Sequence, residues 1–170
     1  LYSAPFFILF GALSLFEPYL YRHLFASKDI DRLGGKEFQI IAHKGASGLA
    51  PENTMAAFEK ALELGVDQIE IDVRHTKDEE IIVFHDQRLD RVTRDSLGNP
   101  ITGDVHDYTL EELKQFEVGS WFDSKFSDQK IPTLKEVLDF IDGQVDVLIE
   151  IKHMDHPHYH DFAEKLVEVV

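Results

Sequence analysis

Short apolar runs that end in polar side chains recur along this chain, and they constrain its fold more than any other feature. Residues 38–42, 68–73 and 81–84 are rich in Ile, Val and Phe over lengths typical of β-strands. Between the first two runs, residues 53–64 have helical periodicity, and Gly65 follows as a C-cap. This order predicts a β/α fold, and parallel β/α folds place their active sites at the carboxyl ends of the strands.

The rest of the chain continues this order after an interruption. Residues 86–119 contain many Asp, Thr, Gly and Pro turns around one short predicted helix at 110–116, for which Thr109 is a suitable N-cap. Periodicity then predicts three more elements: a helix at 133–141, a strand at 145–151 and a terminal helix that begins near Tyr159. The interruption is therefore interpreted as an excursion inserted into a β/α fold.

Four predicted strands with their helices amount to half of a TIM (β/α)8 barrel. A closed barrel needs roughly 250 residues, whereas this chain has 170. It begins at Leu1 and ends inside an amphipathic run without a helix stop signal, which indicates a fragment of something longer. We expect the N-terminal half of a barrel with exposed strand edges and apolar faces, completed by further chain or by an oligomer of two copies.

The beginning of the chain differs in composition from the rest. Residues 1–16 carry no charge and include four Phe, and residues 17–23 then supply aromatic and charged groups typical of a membrane boundary. We predict three parts: an apolar helix over 1–26, a linker over 27–37 and one catalytic domain over 38–170. Residues 1–20 are a possible membrane anchor, so a membrane-associated protein is expected. A soluble amphipathic helix and a signal-peptide remnant remain alternatives, because sixteen residues fall short of the about 20 in a span.

The overall charge argues against one large class of partners. The formal net charge is -15 and the isoelectric point is near 4.9. A groove that follows nucleic-acid phosphates needs clustered Lys and Arg, so no nucleic-acid partner is expected. The chain has no cysteine, which excludes disulfides and thiolate zinc sites.

Carboxylates occur in pairs on two of the predicted strands. Because strand side chains alternate, Glu70 and Asp72 share one face of their strand, about 7 Å apart. They repel each other unless a hard divalent cation with oxygen ligands lies between them. Glu150 and Lys152 repeat the spacing on the last strand. Three carboxylates suit Mg²⁺ or Ca²⁺, although paired strand carboxylates are more often a solvated face.

Two histidines follow strand ends at the same predicted rim. His43 and His85 carry protons near neutral pH and can serve as a base and an acid on opposite sides of a scissile bond. Lys44 and Lys152 can hold an anionic phosphate. A single His at a strand end is usually structural, but the whole set of groups makes a metal-dependent hydrolase the leading interpretation.

This array resembles the glycerophosphodiester phosphodiesterase family, whose pattern is His-Arg, Glu-Asn, Glu-x-Asp and His-Asp. The matching elements are His43-Lys44, Glu52-Asn53, Glu70-x-Asp72 and His85-Asp86, followed by Gly119-Ser-Trp121, Ile131-Pro-Thr-Leu134 and Glu150-Ile-Lys152. The resemblance covers residues 39 to about 153. Each dipeptide alone is a weak signal, whereas ordered elements at predicted strand ends are highly specific.

The resemblance implies a TIM barrel that hydrolyses glycerophosphodiesters to glycerol 3-phosphate and an alcohol. It implies a divalent cation, Mg²⁺ or Ca²⁺, held by Glu70, Asp72 and Glu150, with His43 and His85 as the catalytic pair. In this scheme the glycerol 2-hydroxyl can attack first and give a cyclic phosphate. The implied substrate-binding residues are Lys44, Glu52, Asn53, Lys152 and Trp121, with two alternatives left open: Glu52 in the metal shell, and Trp121 as a core anchor. One departure is Lys44, where the family usually has Arg, because Lys cannot grip phosphate with two parallel bonds.

Three other functions stay open at this point. Some relatives act on lysophospholipids as a lysophospholipase D, which a membrane-bound leader would suit. A second enzymatic alternative is a phospholipase D-like or phosphoinositide-type phosphodiesterase on a similar barrel. A third is a metal- or phosphodiester-binding module, or an interaction partner of a membrane protein, that retains the ligands without turnover.

Overall fold

A computed structural model describes residues 39–152 and 162–170. The predicted N-terminal helix over 1–26, the linker over 27–37 and the start of the terminal helix near Tyr159 lie outside the described residues. Within these two ranges, none of the helices has both the length and the apolar character needed to cross a bilayer.

A four-stranded sheet forms the centre of the fold. Its strands are β1 (Ile41–His43), β2 (Gln68–His75), β3 (Ile81–Val83) and β4 (Asp146–Ile151). β1 and β4 run parallel to β2, as a β/α fold requires. β4 pairs along β2 from Gln68 to Val73, so β1 and β3 share the other edge of β2.

The predicted strand at 81–84 is confirmed as β3, but the prediction that it is one of four strands of the half barrel is wrong. β3 is antiparallel to β2, with Val83 opposite Val73. A parallel connection needs a crossover of a dozen or more residues, whereas only a short turn separates His75 from Ile81. The strands therefore form a hairpin, and the hydrogen bond from Phe84 N to Asp72 O (2.9 Å) returns the chain toward the middle of β2.

Four helices are described, and the first three begin and end where the sequence predicted, to within a few residues. They are α1 (Met55–Leu64), α2 (Leu110–Leu113), α3 (Leu134–Ile141) and α4 (Phe162–Val169), with 3-10 turns at Val105–Asp107 and Ser124–Phe126. α2 and α3 start with capping boxes at Thr109 and Thr133. Gly65 ends α1 with φ of 67°, a left-handed conformation that glycine adopts without strain.

The main hydrophobic core lies between the sheet and the helices. Ile69, Ile71 and Val73 project from one face of β2 and are fully buried. Phe58 of α1 and Leu134 of α3 belong to the same cluster. Burying apolar surface contributes about 25 cal/mol per Å², so this face fixes the register that turns the polar residues of β2 the other way.

The predicted excursion after His85 folds around a second core. Its members include Leu89, Val105 and Leu113, which pack with Ile82 of β3. Gly119 closes the segment tightly, because a Cβ there would lie 1.9 Å from the carbonyl oxygen of Phe126. Residues 86–119 are thus an ordered cap on the hairpin rather than a loose insertion.

The polar face of the sheet is open on one side. Ile41 and Leu148 lie on this face and are 46% and 51% exposed. In the TIM barrel that the sequence predicts, the polar face of the strands lines the barrel interior, and these two side chains lie on that face. Their exposure agrees with the expected apolar faces of a half barrel.

Candidate active site and metal centre

The register of the sheet brings the predicted metal ligands together. Asp72 of β2 pairs with Glu150 of β4, and residues paired side by side project to the same face. Glu70 lies two residues before Asp72 on that face. Oxygens of Glu70, Asp72 and Glu150, here named the carboxylate cluster, lie within 4.8 Å of one another.

Glu70 is buried and only partly hydrogen-bonded. Its Oε2 accepts a hydrogen bond from the backbone N of Lys44 (2.7 Å) and lies 3.9 Å from Nε2 of His43. Its Oε1 is buried without a hydrogen-bond partner. Burial raises the pKa of Glu70 above its ordinary value, and the nearby charges of Asp72 and Glu150 raise it further.

Asp72 is fully buried and is held from two sides. Asn53 Nδ2 donates to its Oδ2 (2.7 Å), while the backbone N of Asp72 donates to Oδ1 of Asn53 (3.3 Å). Nζ of Lys152 lies 2.9 Å from Oδ1 of Asp72 and also contacts Glu150. Despite partial desolvation, these two carboxylates raise the pKa of Lys152, which keeps it cationic.

The carboxylate cluster fits a divalent cation. Mg²⁺ and Ca²⁺ bind oxygens at about 2.0–2.6 Å, so ligand atoms on one ion lie up to about 4–5 Å apart. The cluster satisfies this limit. Its three carboxylates exceed the single ammonium of Lys152 by two charges, and the orphaned Oε1 of Glu70 offers an unused ligand atom. Both the charge and the donor set suit a hard cation.

A second group of charged residues lies beside the cluster and is centred on Arg91. The guanidinium donates to Asp86 through Nε (2.6 Å) and Nη2 (3.1 Å), and to Glu52 through Nη1 (3.0 Å) and Nη2 (2.6 Å). Asp86 Oδ1 also lies 2.6 Å from Nδ1 of His85. Glu52 accepts from Nζ of Lys44 (3.3 Å). These five residues are named the arginine network.

The electrostatics of the arginine network differ from those of the cluster. Burial pushes the pKa of Glu52 and of Asp86 upward, but hydrogen bonds from Arg91 outweigh it, so that both carboxyl groups have a lowered pKa. The same bonds raise the pKa of Arg91. Two carboxylates are thus matched by the cations of Lys44 and Arg91.

Charge balance decides between the two candidate metal positions. Glu52, His85 and Asp86 also have ligand atoms close enough to share an ion. Their carboxylates are already paired with Arg91, so a divalent cation there would face a local excess of positive charge. The carboxylate cluster is therefore the better site for a cation.

Trp121 lies at the edge of the arginine network. Its ring centroid is 5.6 Å from Cζ of Arg91, and its indole N–H donates to Val118 O (2.9 Å). It also packs against the second core. The core contact agrees with the alternative that Trp121 is a core anchor, whereas a contact of Trp121 with substrate stays a prediction.

All ten predicted site residues are connected by contacts in the structure. Lys44 is the link between the two groups, since its backbone binds Glu70 and its side chain binds Glu52. Asn53 binds Asp72 with its amide, so its predicted contact with substrate stays a prediction.

Sequence reasoning overlooked two residues that orient His85. Arg91 carries no periodic signal, and its partner Glu52 is 39 positions away. Arg74 shares the polar face of β2, and its Nε donates to His85 O (2.8 Å). The alternation of side chains along β2 could have identified Arg74, because it places Arg74 on the same face as Glu70 and Asp72.

Comparison with known proteins identifies the family. Residues 43–169 match the model of the glycerophosphoryl diester phosphodiesterase family, and the chain belongs to this family. A protein of Caldanaerobacter subterraneus named glycerophosphodiester phosphodiesterase is 43% identical over 132 residues, which are 77% of this chain and 51% of that protein.

Solved structures agree with this assignment. A glycerophosphodiester phosphodiesterase from Agrobacterium tumefaciens is 36% identical with a TM-score of 0.65, over 77% of this chain and 54% of that one. A phosphodiesterase from Oleispira antarctica, solved with the product sn-glycerol-3-phosphate, is 35% identical with a TM-score of 0.70, over 78% and 51%. The chain spans about half the length of the relatives it matches.

Proposed function

We propose that this protein hydrolyses glycerophosphodiesters to glycerol 3-phosphate and an alcohol, with a divalent cation at the carboxylate cluster and His43 and His85 as the acid–base pair. The proposal rests on one observation, which is that both histidines contact the same connected set of polar residues. His43 contacts the cluster through Glu70, and His85 contacts the arginine network through Asp86. The names of the relatives support the reaction.

His85 is the better candidate for the general base. Asp86 accepts a hydrogen bond from Nδ1–H of His85, which holds the ring in one orientation and leaves Nε2 as the basic nitrogen. A base oriented in this way can take the proton of an attacking hydroxyl, either the glycerol 2-hydroxyl or water.

His43 is then the general acid. Its side chain is 70% exposed and lies 3.9 Å from the Glu70 carboxylate. From this position His43 can give a proton to the departing alkoxide. Exposure leaves room for a leaving group of variable size.

Charge on the phosphoryl oxygens needs compensation as the substrate reacts. A bound Mg²⁺ or Ca²⁺ supplies Lewis-acid stabilisation of these oxygens. Lys152 is placed to assist, because its ammonium lies beside two of the three carboxylates that would hold the cation. Lys44 replaces the family's usual Arg and offers one point charge, so it orients the phosphate less strictly than a guanidinium would.

Membrane association and a lysolipid substrate form a subsidiary proposal. The uncharged residues 1–16 support it through their composition alone. A lysophospholipase D reaction would use the same cation and histidines and differ in the apolar group of the substrate.

The test is release of glycerol 3-phosphate from glycerophosphocholine and glycerophosphoethanolamine by the full 170-residue chain, with Mg²⁺, Ca²⁺ or EDTA. We expect cation-dependent release that His43→Ala lowers by about 100-fold or more, as for a lost general acid. Calorimetry should show that His43→Ala still binds the cation. His106→Ala is the matched control, because His106 lies in a 3-10 turn outside the site.

Two outcomes would contradict the proposal. Cation binding without release from any diester, in a folded protein, would establish a binding module. Release from lysolipids alone would move the function to the subsidiary class.

A further inference from the structure

We propose that Arg91 is a positioning residue that holds two pairs of residues in place. These pairs, here named the two arms of the site, are Asp86 with His85 and Glu52 with Lys44. The inference rests on the proposed function for its kinetic test, whereas its spectroscopic test does not. Arg91 belongs to the segment after β3, and the residues that it joins come from two separate loops.

The geometry of the guanidinium carries the proposal. Four hydrogen bonds of 2.6–3.1 Å divide equally between two carboxylates. Such bidentate bonds fix orientation as well as distance. Each carboxylate contacts one functional residue on its other side, with His85 on Asp86 and Lys44 on Glu52. Arg91 is the shared neighbour that holds these two pairs in one arrangement.

Arg91 is poorly suited to bind substrate phosphate itself. Its positive charge is matched by two adjacent anions, and its donors point at them. An anionic substrate would have to displace at least one carboxylate. Orientation of neighbouring residues is therefore the role that the contacts support.

Trp121 strengthens the same arrangement. Its ring lies over the guanidinium, a cation–π contact that limits where Arg91 can move. Pocket-lining residues around this point include the apolar Val92 and Val118. The Arg91 side chain is 46% exposed, so the ring and these side chains limit its movement while the bonds stay accessible to water.

Removal of Arg91 should disconnect the two arms. Asp86 would lose two hydrogen bonds and rotate more freely, so that His85 would no longer be held in one tautomer and orientation. Among the described residues, Lys44 would remain the one cation that contacts Glu52. Neither change touches the carboxylate cluster directly, so substrate and cation binding should change less than turnover.

Arg88 offers a matched control. It also bridges two carboxylates, those of Asp90 and Asp104, but it makes no contact with a site residue in the described part of the chain. Arg88→Ala removes the same type of bridge from the same segment. Any effect of Arg91→Ala beyond that of Arg88→Ala therefore reports on the site.

The kinetic test compares Arg91→Ala, Arg91→Lys and Arg88→Ala in the full chain. We expect Arg91→Ala to lower kcat about 10- to 100-fold with KM changed less than about threefold, as for other residues that orient functional groups. Added guanidinium ion should restore part of the activity of Arg91→Ala. Arg91→Lys should be intermediate, because one ammonium cannot make four such bonds. Arg88→Ala should stay within about twofold of wild type, the scatter of an exposed pair.

The spectroscopic test is long-range ¹H–¹⁵N correlation of the His85 ring at a pH where it is neutral. The wild type should show the Nδ1–H tautomer, and Arg91→Ala should gain the Nε2–H tautomer. If wild type releases no glycerol 3-phosphate, the proposed function fails while this spectrum still decides the role of Arg91. An unchanged His85 tautomer in Arg91→Ala overturns the inference, as does equal loss of activity in Arg88→Ala. If Arg91→Ala does not fold, Arg91→Lys is judged by the same criteria.

Discussion

The side-chain amide of Asn53 should contribute about 2–4 kcal/mol to the free energy of unfolding, because it binds the buried carboxylate of Asp72. Asn53 is 3% exposed, and Asp72 is fully buried. The side chain of Asn53 both donates to Asp72 and accepts from its backbone. Asn53 has φ of 54°, where Ala would be strained. Asn53→Gly therefore removes the amide and leaves the backbone free to keep its conformation.

The magnitude follows from the two bonds. A hydrogen bond to a charged group contributes about 1.5–3 kcal/mol, and the longer backbone bond adds about 0.5–1 kcal/mol. Relief of backbone strain by Gly and the greater entropy of the unfolded chain are each up to about 1 kcal/mol and oppose each other. The free energy of unfolding should fall by about 2–4 kcal/mol.

Urea denaturation followed by circular dichroism measures this loss. Asp142→Gly is the matched control, because Asp142 also has a left-handed backbone, with φ of 44°, at the exposed C-cap of α3. The control should change the free energy of unfolding by no more than about 1 kcal/mol. A loss in Asn53→Gly no larger than in the control would refute the view that Asn53 holds Asp72.

Two further predictions concern the charged groups. Lys152→Met should bind Mg²⁺ or Ca²⁺ more tightly, by roughly tenfold or about 1.4 kcal/mol, because Lys152 competes for Asp72 and Glu150. Calorimetric titration tests this, with Lys165→Met, which loses a contact to Glu79, as the control. Weaker cation binding by Lys152→Met would contradict the prediction. The destabilisation caused by Arg91→Ala should depend on pH. It should be full above pH 4.5, the ordinary pKa of Glu52, and disappear as pH falls through the lowered pKa values of Glu52 and Asp86. Unfolding measured from pH 7 to pH 3 would contradict this if the difference were constant.

Local patterns in the sequence predicted the elements that depend on neighbours along the chain. Thr109 and Thr133 cap their helices as expected, and Gly65 ends α1. Alternation along β2 correctly placed Glu70 and Asp72 on one face, because apolar residues between them fill the core. These features follow from short-range geometry, which a single sequence records.

Strand direction and long-range ion pairing were harder to predict. The apolar run at 81–84 has the same composition whether its strand is parallel or antiparallel, and the length of the turn before it was the informative feature. Arg91 pairs with Glu52 across 39 positions, and no local pattern specifies such a partner. Polar contacts between loops depend on the completed fold.

The hairpin explains why a chain that spans about half the length of its relatives can hold a connected candidate site. An antiparallel β3 carries His85 back toward Asp72, where Phe84 N binds Asp72 O, whereas a parallel strand would have required a longer excursion. β4 then adds Glu150 and Lys152 in register with β2. Three successive pieces of chain thus converge on the polar face of one strand. Ile41 and Leu148 are exposed on the open side of this face. The contacts that define the site lie within the described residues of this chain.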